Sequence, residues 1–451
     1  MDKKRESCWD VFGRLIYKKM NSIYPVLLLL FLNNACNRER EIKALVYTPV
    51  AIGKCSVDTV NVYHFILPEK HKGSLPLLII LDSGGDGLLA VKKTEPAVSR
   101  IPCVVVGSDL VRNNYPGYEQ AVDILIKDAC RKFHVTKEQI FIAGFSGGAR
   151  MAFEYAREHP VKGVLMCGAG PSVKSFQELH CPVYMITGTT DFNFSETYYN
   201  PLNNSGQQSF LADYFRGRHE WPPAEMLKEG LLFLMGKSIP DGERLLKQES
   251  ALLSEKADSL LTKDETLFAI KAVEKALSFN PDNKLARKQI EKIKNNRKFA
   301  GDISKLESDL NLENRIDQAY FLASMEHDSI WWAKEIKQLS LEIANNTGDK
   351  KDHYLRIKAF LGILFYSQLN TLIRSQPGNN QIVQLLAAYK RAEPENPDVY
   401  YDYALYTWKL GSAQLSRKYL TIALSLGFKD RVKLVNDFPV VVLNELISKL
   451  K

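Results

Sequence analysis

At 451 residues, with 45% hydrophobic and 25% charged side chains, the chain has the composition of a soluble globular protein and room for two or three domains. Its net charge of +8 comes from lysines and arginines scattered among acids, with no basic stripe, so nucleic acid is not an expected partner.

The first informative segment is Ile23 to Leu32, ten apolar residues preceded by Arg14, Lys18 and Lys19 and followed by Asn33-Asn34-Ala35-Cys36. Ten residues are too few to span a bilayer and fit the core of an export signal. A cysteine after a small residue at that place resembles the bacterial lipoprotein signal, which implies lipidation of Cys36 and a membrane anchor at the periplasmic or cell surface. Ordinary cleaved export and a cytosolic protein with an apolar N-terminus remain open, as does the start residue, Met1 or Met20. Setting Cys8 and Cys36 aside leaves Cys55, Cys103, Cys130, Cys167 and Cys181, an odd set without paired spacing that predicts neither a disulfide framework nor a metal site. No cofactor is expected.

Short apolar runs follow at Val60 to Leu67, Leu75 to Leu81, Cys103 to Gly107, Ile140 to Ala143, Val164 to Cys167 and Val183 to Ile186, alternating with helical stretches such as Tyr118 to Phe133. That alternation predicts an α/β domain with a parallel sheet covered on both faces. The second run leads into Asp82-Ser83-Gly84-Gly85-Asp86-Gly87, whose glycines allow close backbone approach.

Ile140 to Ala143 runs into Gly144-Phe145-Ser146-Gly147-Gly148, the G-x-S-x-G pattern of a nucleophile elbow. Chance alone yields about 0.15 such matches in a chain of this length, so the flanking strand and helix patterns carry the argument. A serine hydroxyl needs a histidine to take its proton and a carboxylate to orient that histidine. Asp191 lies in a loop after the run Pro182 to Gly188, with Glu196 as the other acid nearby. His219, in Arg216-Gly217-Arg218-His219-Glu220-Trp221-Pro222, is the one histidine after Asp191 outside the later helical sequence that holds His327 and His353. His159 and His180 precede Asp191. An oxyanion hole is expected from the Gly147 amide and a second amide of the Ser83, Gly84, Gly85 loop, with Gly84 and Gly85 as leading candidates.

GFSGGAR, GTTDFNF, RGRHEWP and LDSGGDG, spread over Asn61 to Gly236, together resemble the α/β-hydrolase superfamily, and within it the polyhydroxybutyrate depolymerase and feruloyl esterase-like serine esterases. The resemblance implies Ser146 as nucleophile, His219 as general base then acid, and Asp191 as orienting acid. The oxyanion loop departs from it in lacking the histidine often found before the glycines. The short stretch between Cys167 and Pro182 leaves little room for a cap, so an open site is expected, suited to esters carried on a carbohydrate or polyester. Phe192, Phe194, Tyr198 and Tyr199 line either that site or local core.

From Asp241 the sequence is lysine-rich, strand-poor and helix-periodic. Ala257, Ala269, Val273, Ala276 and Pro281 resemble a tetratricopeptide repeat, and Tyr400, Tyr403, Ala404, Gly411, Leu420 and Ala423 repeat the pattern after Asn396-Pro397. The expected organisation is therefore a leader (1–36), an α/β-hydrolase domain (37–240) and an all-α tetratricopeptide-like domain (241–451) that binds a protein partner. The function expected is carboxylic ester hydrolysis; a serine peptidase, an acyltransferase or a non-catalytic binding protein are the alternatives.

Overall fold

Eight strands form one sheet in the order β1-β2-β4-β3-β5-β6-β7-β8. They are β1 (Ala51–Lys54), β2 (Val62–Ile66), β3 (Leu77–Leu81), β4 (Val104–Ser108), β5 (Ile140–Phe145), β6 (Val164–Cys167), β7 (Val183–Gly188) and β8 (Phe210–Phe215). The computed structural model describes residues 42–449 apart from 72, 136, 172–178 and 204–209. The leader, Met20 and Cys36 lie outside the described residues.

From β4 through β8 every pairing is parallel, whereas β1 pairs antiparallel with β2, and β2 with β4. The expected parallel sheet carries an antiparallel pair of strands at one edge. The short connection from β1 to β2, residues 55–61, is a hairpin loop, and a parallel crossover needs about a dozen residues or more. This strand order, with helices on both faces, is that of the α/β-hydrolase fold. β3, β4, β6 and β7 are buried along their whole length, as strands covered on both faces are.

The covering helices of this part are α1 (Gly87–Thr94), α2 (Tyr118–Phe133), α3 (Gly147–Glu158), α4 (Phe194–Asn203) and α5 (Ala224–Met235). Alternation along the strands sorts the layers. Leu77, Ile79 and Leu81 of β3 and Ile142 of β5 share one core with Val122 and Leu125 of α2 and Ala152 and Phe153 of α3. On the other face α5 comes so close that a Cβ on Gly230 would lie 2.8 Å from Leu165 and 2.9 Å from Tyr184.

The rest of the chain is helical: α6 (Gly242–Thr262), α7 (Thr266–Phe279), α8 (Lys284–Lys294), α9 (Arg297–Glu326), α10 (Ser329–Asn345), α11 (Gly348–Ser375), α12 (Gln381–Ala392), α13 (Pro397–Lys409), α14 (Ala413–Ser425), α15 (Arg431–Asp437) and α16 (Val440–Lys449). Side-chain caps start several of them: Asn283 accepts from Leu285 and Ala286, Asp328 from Ile330 and Trp331, and Asn396 from Asp398. The small residues read from sequence sit where helices touch. Ala257, Ala269, Val273 and Ala276 are fully buried between α6 and α7, and Ala404, Leu420 and Ala423 between α13 and α14.

The described chain from Leu45 onward clusters as one compact unit. Leu310 of α9 belongs to the sheet's own core, with Leu267, Phe268 and Leu306 packed against it. A buried ion cluster ties the same two parts together. Lys275 of α7 reaches Asp213 of β8 at 2.5 Å and also Glu229 of α5, and Tyr184 donates to Asp213 at 3.1 Å. Burial alone would favour a neutral lysine, but the two carboxylates outweigh it and hold Lys275 above the ordinary lysine range.

Candidate active site

Ser146 joins β5 to α3 at φ 54° and ψ −121°, a conformation that costs a non-glycine residue about 1–3 kcal/mol. The surroundings over-determine it. Ser146 N–H donates to the Cys167 carbonyl at 2.8 Å, and Ala149 and Arg150 N–H both donate to the Ser146 carbonyl. The flanking glycines are sterically required. A Cβ on Gly144 would stand 2.3 Å from the Gly148 carbonyl, and one on Gly148 2.2 Å from the Leu81 carbonyl.

Motif and chain order pointed to Ser146, Asp191 and His219, with Glu196 as the other acid, and the fold brings the first three together. His219 Nε2 lies 2.9 Å from Ser146 Oγ, and His219 Nδ1 lies 2.9 Å from Asp191 Oδ2. With Nδ1–H donating to Asp191, Nε2 is left to accept the Ser146 hydroxyl, the tautomer that base catalysis needs. Asp191 is fully buried, and its other oxygen accepts the Asn193 amide at 2.9 Å.

The acid loop is built against the histidine loop. Thr189 N–H donates to Phe215 O at 2.8 Å, and Thr190 N–H and Oγ1 donate to Gly217 O at 2.9 and 2.8 Å. A Cβ on Gly188 would lie 2.4 Å from that same Gly217 carbonyl, so the two loops run backbone on backbone. On the other side Asn193 Nδ2 donates to Gly168 O at 2.7 Å. Rings hold the imidazole: Phe192 and Phe145 lie 4.5 and 4.9 Å from His219, and Trp221 stacks on Phe145. Ser146 and His219 both remain half-buried, within reach of a substrate from solvent.

The loop after β3 differs from expectation. Gly84 N–H donates to Asp82 Oδ1 at 2.8 Å and Gly85 N–H to Asp82 O at 3.1 Å, so both amides are engaged inside their own turn. Neither is free in this arrangement to receive a developing oxyanion. Burial pushes the Asp82 carboxyl above the usual carboxylate range. Asn113, in the loop after β4, bridges the two halves of the region. Its N–H donates to Ser83 O at 2.9 Å, and its carboxamide packs on Gly147, where an added Cβ would fall 1.7 Å from Asn113 Oδ1. The Gly147 amide, at the first position of α3, has no intrahelical partner.

The other residues weighed from sequence lie elsewhere. Glu196 pairs with Arg150 through two bonds of 2.6 and 2.9 Å rather than with His219. His159 stacks on Tyr155, His180 is exposed and His327 stacks on Trp331. Phe194 and Tyr198 are buried core, and Tyr199 donates to Glu307 O of α9; of the four aromatics only Phe192 flanks the histidine. Asn113 and Trp221 were not anticipated: Asn113 belongs to no motif, and Trp221, although inside RGRHEWP, was given no role. Among the described residues no group of three or more His, Cys, Asp or Glu is placed to hold a metal ion, and no helix is long and apolar enough to cross a membrane.

No family model matches the chain, and no curated protein matches it. Among solved structures it is similar to a thermostable esterase from Pseudomonas putida, at 14% identity and a TM-score of 0.33, covering 43% of this chain and 85% of that one. A ferulic acid esterase gives 15% identity and a TM-score of 0.32 over 39% of this chain and 93% of its own. A hyperthermophilic esterase from the archaeon Pyrobaculum calidifontis gives 15% and 0.31 over 39% and 76%.

Proposed function

We propose that the chain is a serine hydrolase of carboxylic esters. One observation carries the reading: His219 stands at 2.9 Å from both Ser146 Oγ and Asp191 Oδ2, with Ser146 held on a strained elbow. In this mechanism His219 Nε2 takes the Ser146 proton as Oγ attacks the ester carbonyl carbon. Asp191 keeps the ring in register and stabilises the imidazolium. The oxyanion is met by the Gly147 amide at the start of α3. With Gly84 and Gly85 engaged, the second donor is the Ser83 amide, whose carbonyl is tied to Asn113 beside Gly147.

Collapse expels the alcohol with the proton from His219, leaving an acyl group on Ser146. Water, deprotonated by the same nitrogen, then releases the acid. A half-buried histidine and serine that solvent still reaches suit an ester displayed on a larger molecule, such as a substituted carbohydrate or a polyester. Export with a lipid anchor at Cys36, and a protein partner on tetratricopeptide-like helices, complete the reading.

The test is fluorophosphonate labelling and p-nitrophenyl acetate hydrolysis by the chain from residue 37, beside Ser146→Ala and His219→Ala. Labelling and turnover in the parent, with a loss of about a thousandfold or more in both variants, is expected. A parent that does neither returns the chain to the class of non-catalytic binding proteins.

A further inference from the structure

Arg356 lies on α11, 167 residues beyond Thr189, and yet its Nη1 donates to the Thr189 carbonyl at 2.7 Å. It is 5% exposed. A guanidinium buried to that degree needs a charged partner and a fixed orientation. Glu313 of α9 supplies both, accepting from Arg356 Nε at 2.8 Å and from Nη2 at 2.6 Å. His353 Nδ1, one turn earlier on α11, sits 2.7 Å from the same Glu313 carboxylate and fixes it from the other side. Arg356 Cζ also lies over the Phe194 ring, 5.0 Å from its centroid.

Those two contacts fall on either side of Asp191. Thr189 precedes it by two residues, and Phe194, whose N–H donates to Asp191 O at 3.0 Å, follows it by three. The helical part is also zipped along α4, which leads out of the acid loop: Tyr198 donates to Glu307 Oε1, and Tyr199 to Glu307 O and Asn311 Oδ1, all at 3.3 Å. The acid loop therefore has three walls. The histidine loop and the end of β6 supply two, and the α9–α11 pair supplies the third.

We infer that Arg356, clamped by Glu313, is a positioning residue for Asp191, so that the helical part of the chain completes the catalytic triad. The inference rests on the esterase reading above. Asp191 can orient His219 only from a fixed position, and a displacement of about 1 Å at such a group costs on the order of a hundredfold in rate. Without Arg356 the Thr189 carbonyl loses its charged donor and the Phe194 ring its cover. Asp191 then drifts while the elbow stays intact.

The experiment uses the full chain and measures ester hydrolysis per fluorophosphonate-titrated site, with KM, pH profile and Tm. Arg356→Met is compared with Leu361→Ala, a fully buried position on the same helix within the helical core. Arg356→Met is expected to lower kcat per titrated site about tenfold or more, with KM within about twofold. Its acid limb is expected to move to lower pH, because an imidazolium with a displaced carboxylate is stabilised less. Leu361→Ala is expected to lower Tm but to keep the parental kcat per site and pH profile.

Should Arg356→Met not fold, Glu313→Gln keeps the shape of the clamp and removes its charge; a fall of about threefold in kcat per site with the same pH shift is then expected. Parental kcat and profile in the Arg356 or Glu313 variant, or an equal loss in Leu361→Ala, would overturn the inference while the esterase reading stands. A parent that neither labels nor hydrolyses sinks both.

Discussion

Trp221 is tied to Asp82 across the site: indole Nε1–H donates to Asp82 Oδ2 at 3.3 Å, joining the loop that carries His219 to the loop that follows β3. Both residues are buried, so the bond is made away from water. Trp221→Phe removes the donor and leaves a buried carboxylate oxygen short of a partner. The expected cost is about 1–3 kcal/mol by urea titration, together with a fall in kcat as the Phe145 stack beside His219 loosens.

The contact of Asn113 with Gly147 predicts an asymmetry between two glycine substitutions. Gly147→Ala should lower turnover because the new methyl displaces the Asn113 carboxamide, and a second change, Asn113→Gly, should restore part of it. Gly148→Ala has no such rescue, since its methyl meets the Leu81 main-chain carbonyl. Initial rates of ester hydrolysis for Gly147→Ala and Gly148→Ala, each alone and each combined with Asn113→Gly, check this; rescue of neither, or of both, would contradict it.

Lys275 is the one cation shared by two carboxyls, Asp213 and Glu229, in a place that excludes water, and burial holds the Glu229 carboxyl above its ordinary range. Lys275→Met strands Asp213 and Glu229, for an expected loss of about 3–5 kcal/mol. Replacing all three, as Lys275→Met with Asp213→Asn and Glu229→Gln, should recover much of that, because no charge is then buried. Denaturant midpoints of the parent, the single and the triple variant decide it.

Asp317, one turn from Glu313 on α9, has its carboxyl pushed up to about 8 by burial and by the Glu313 charge. In the unfolded chain it titrates near about 4. The folded chain thus keeps a proton that the unfolded chain releases between these values. The stability from this group is complete below about pH 4 and is lost as pH rises through 8. Tm of the parent should therefore fall more steeply from pH 5 to pH 8.5 than that of Asp317→Asn; parallel curves would contradict it.

Much of this was legible where local pattern and structure share a cause. Tyr118 to Phe133 has one apolar stripe and is one helix, and the apolar runs ending at Leu81, Cys167 and Ile186 lie in β3, β6 and β7. Glycine spacing located the elbow because Leu81 and Gly148 leave no room for a side chain. β8 escaped notice because Asp213 interrupts its apolar run, and the cation that meets that aspartate is a lysine 62 residues away. β1 is four residues at an edge, too short to carry a period. The oxyanion loop misled because glycines advertise room for the backbone but not where the amides point; Asp82 decides that, through its side chain for Gly84 and its carbonyl for Gly85. Arg356 was invisible for the same reason as Lys275, since neither partner carries a local signal of the other.

The order of synthesis acquires a meaning from the Lys275 cluster. Asp213 and Glu229 leave the ribosome 62 and 46 residues ahead of the lysine they share. A nascent chain that has released only the sheet carries two carboxylates that cannot enter a dry interior, so its last strand has no stable edge until α7 emerges. Arg356 comes later still. A half-made chain thus lacks both the cation beside its last strand and the third wall of its acid loop.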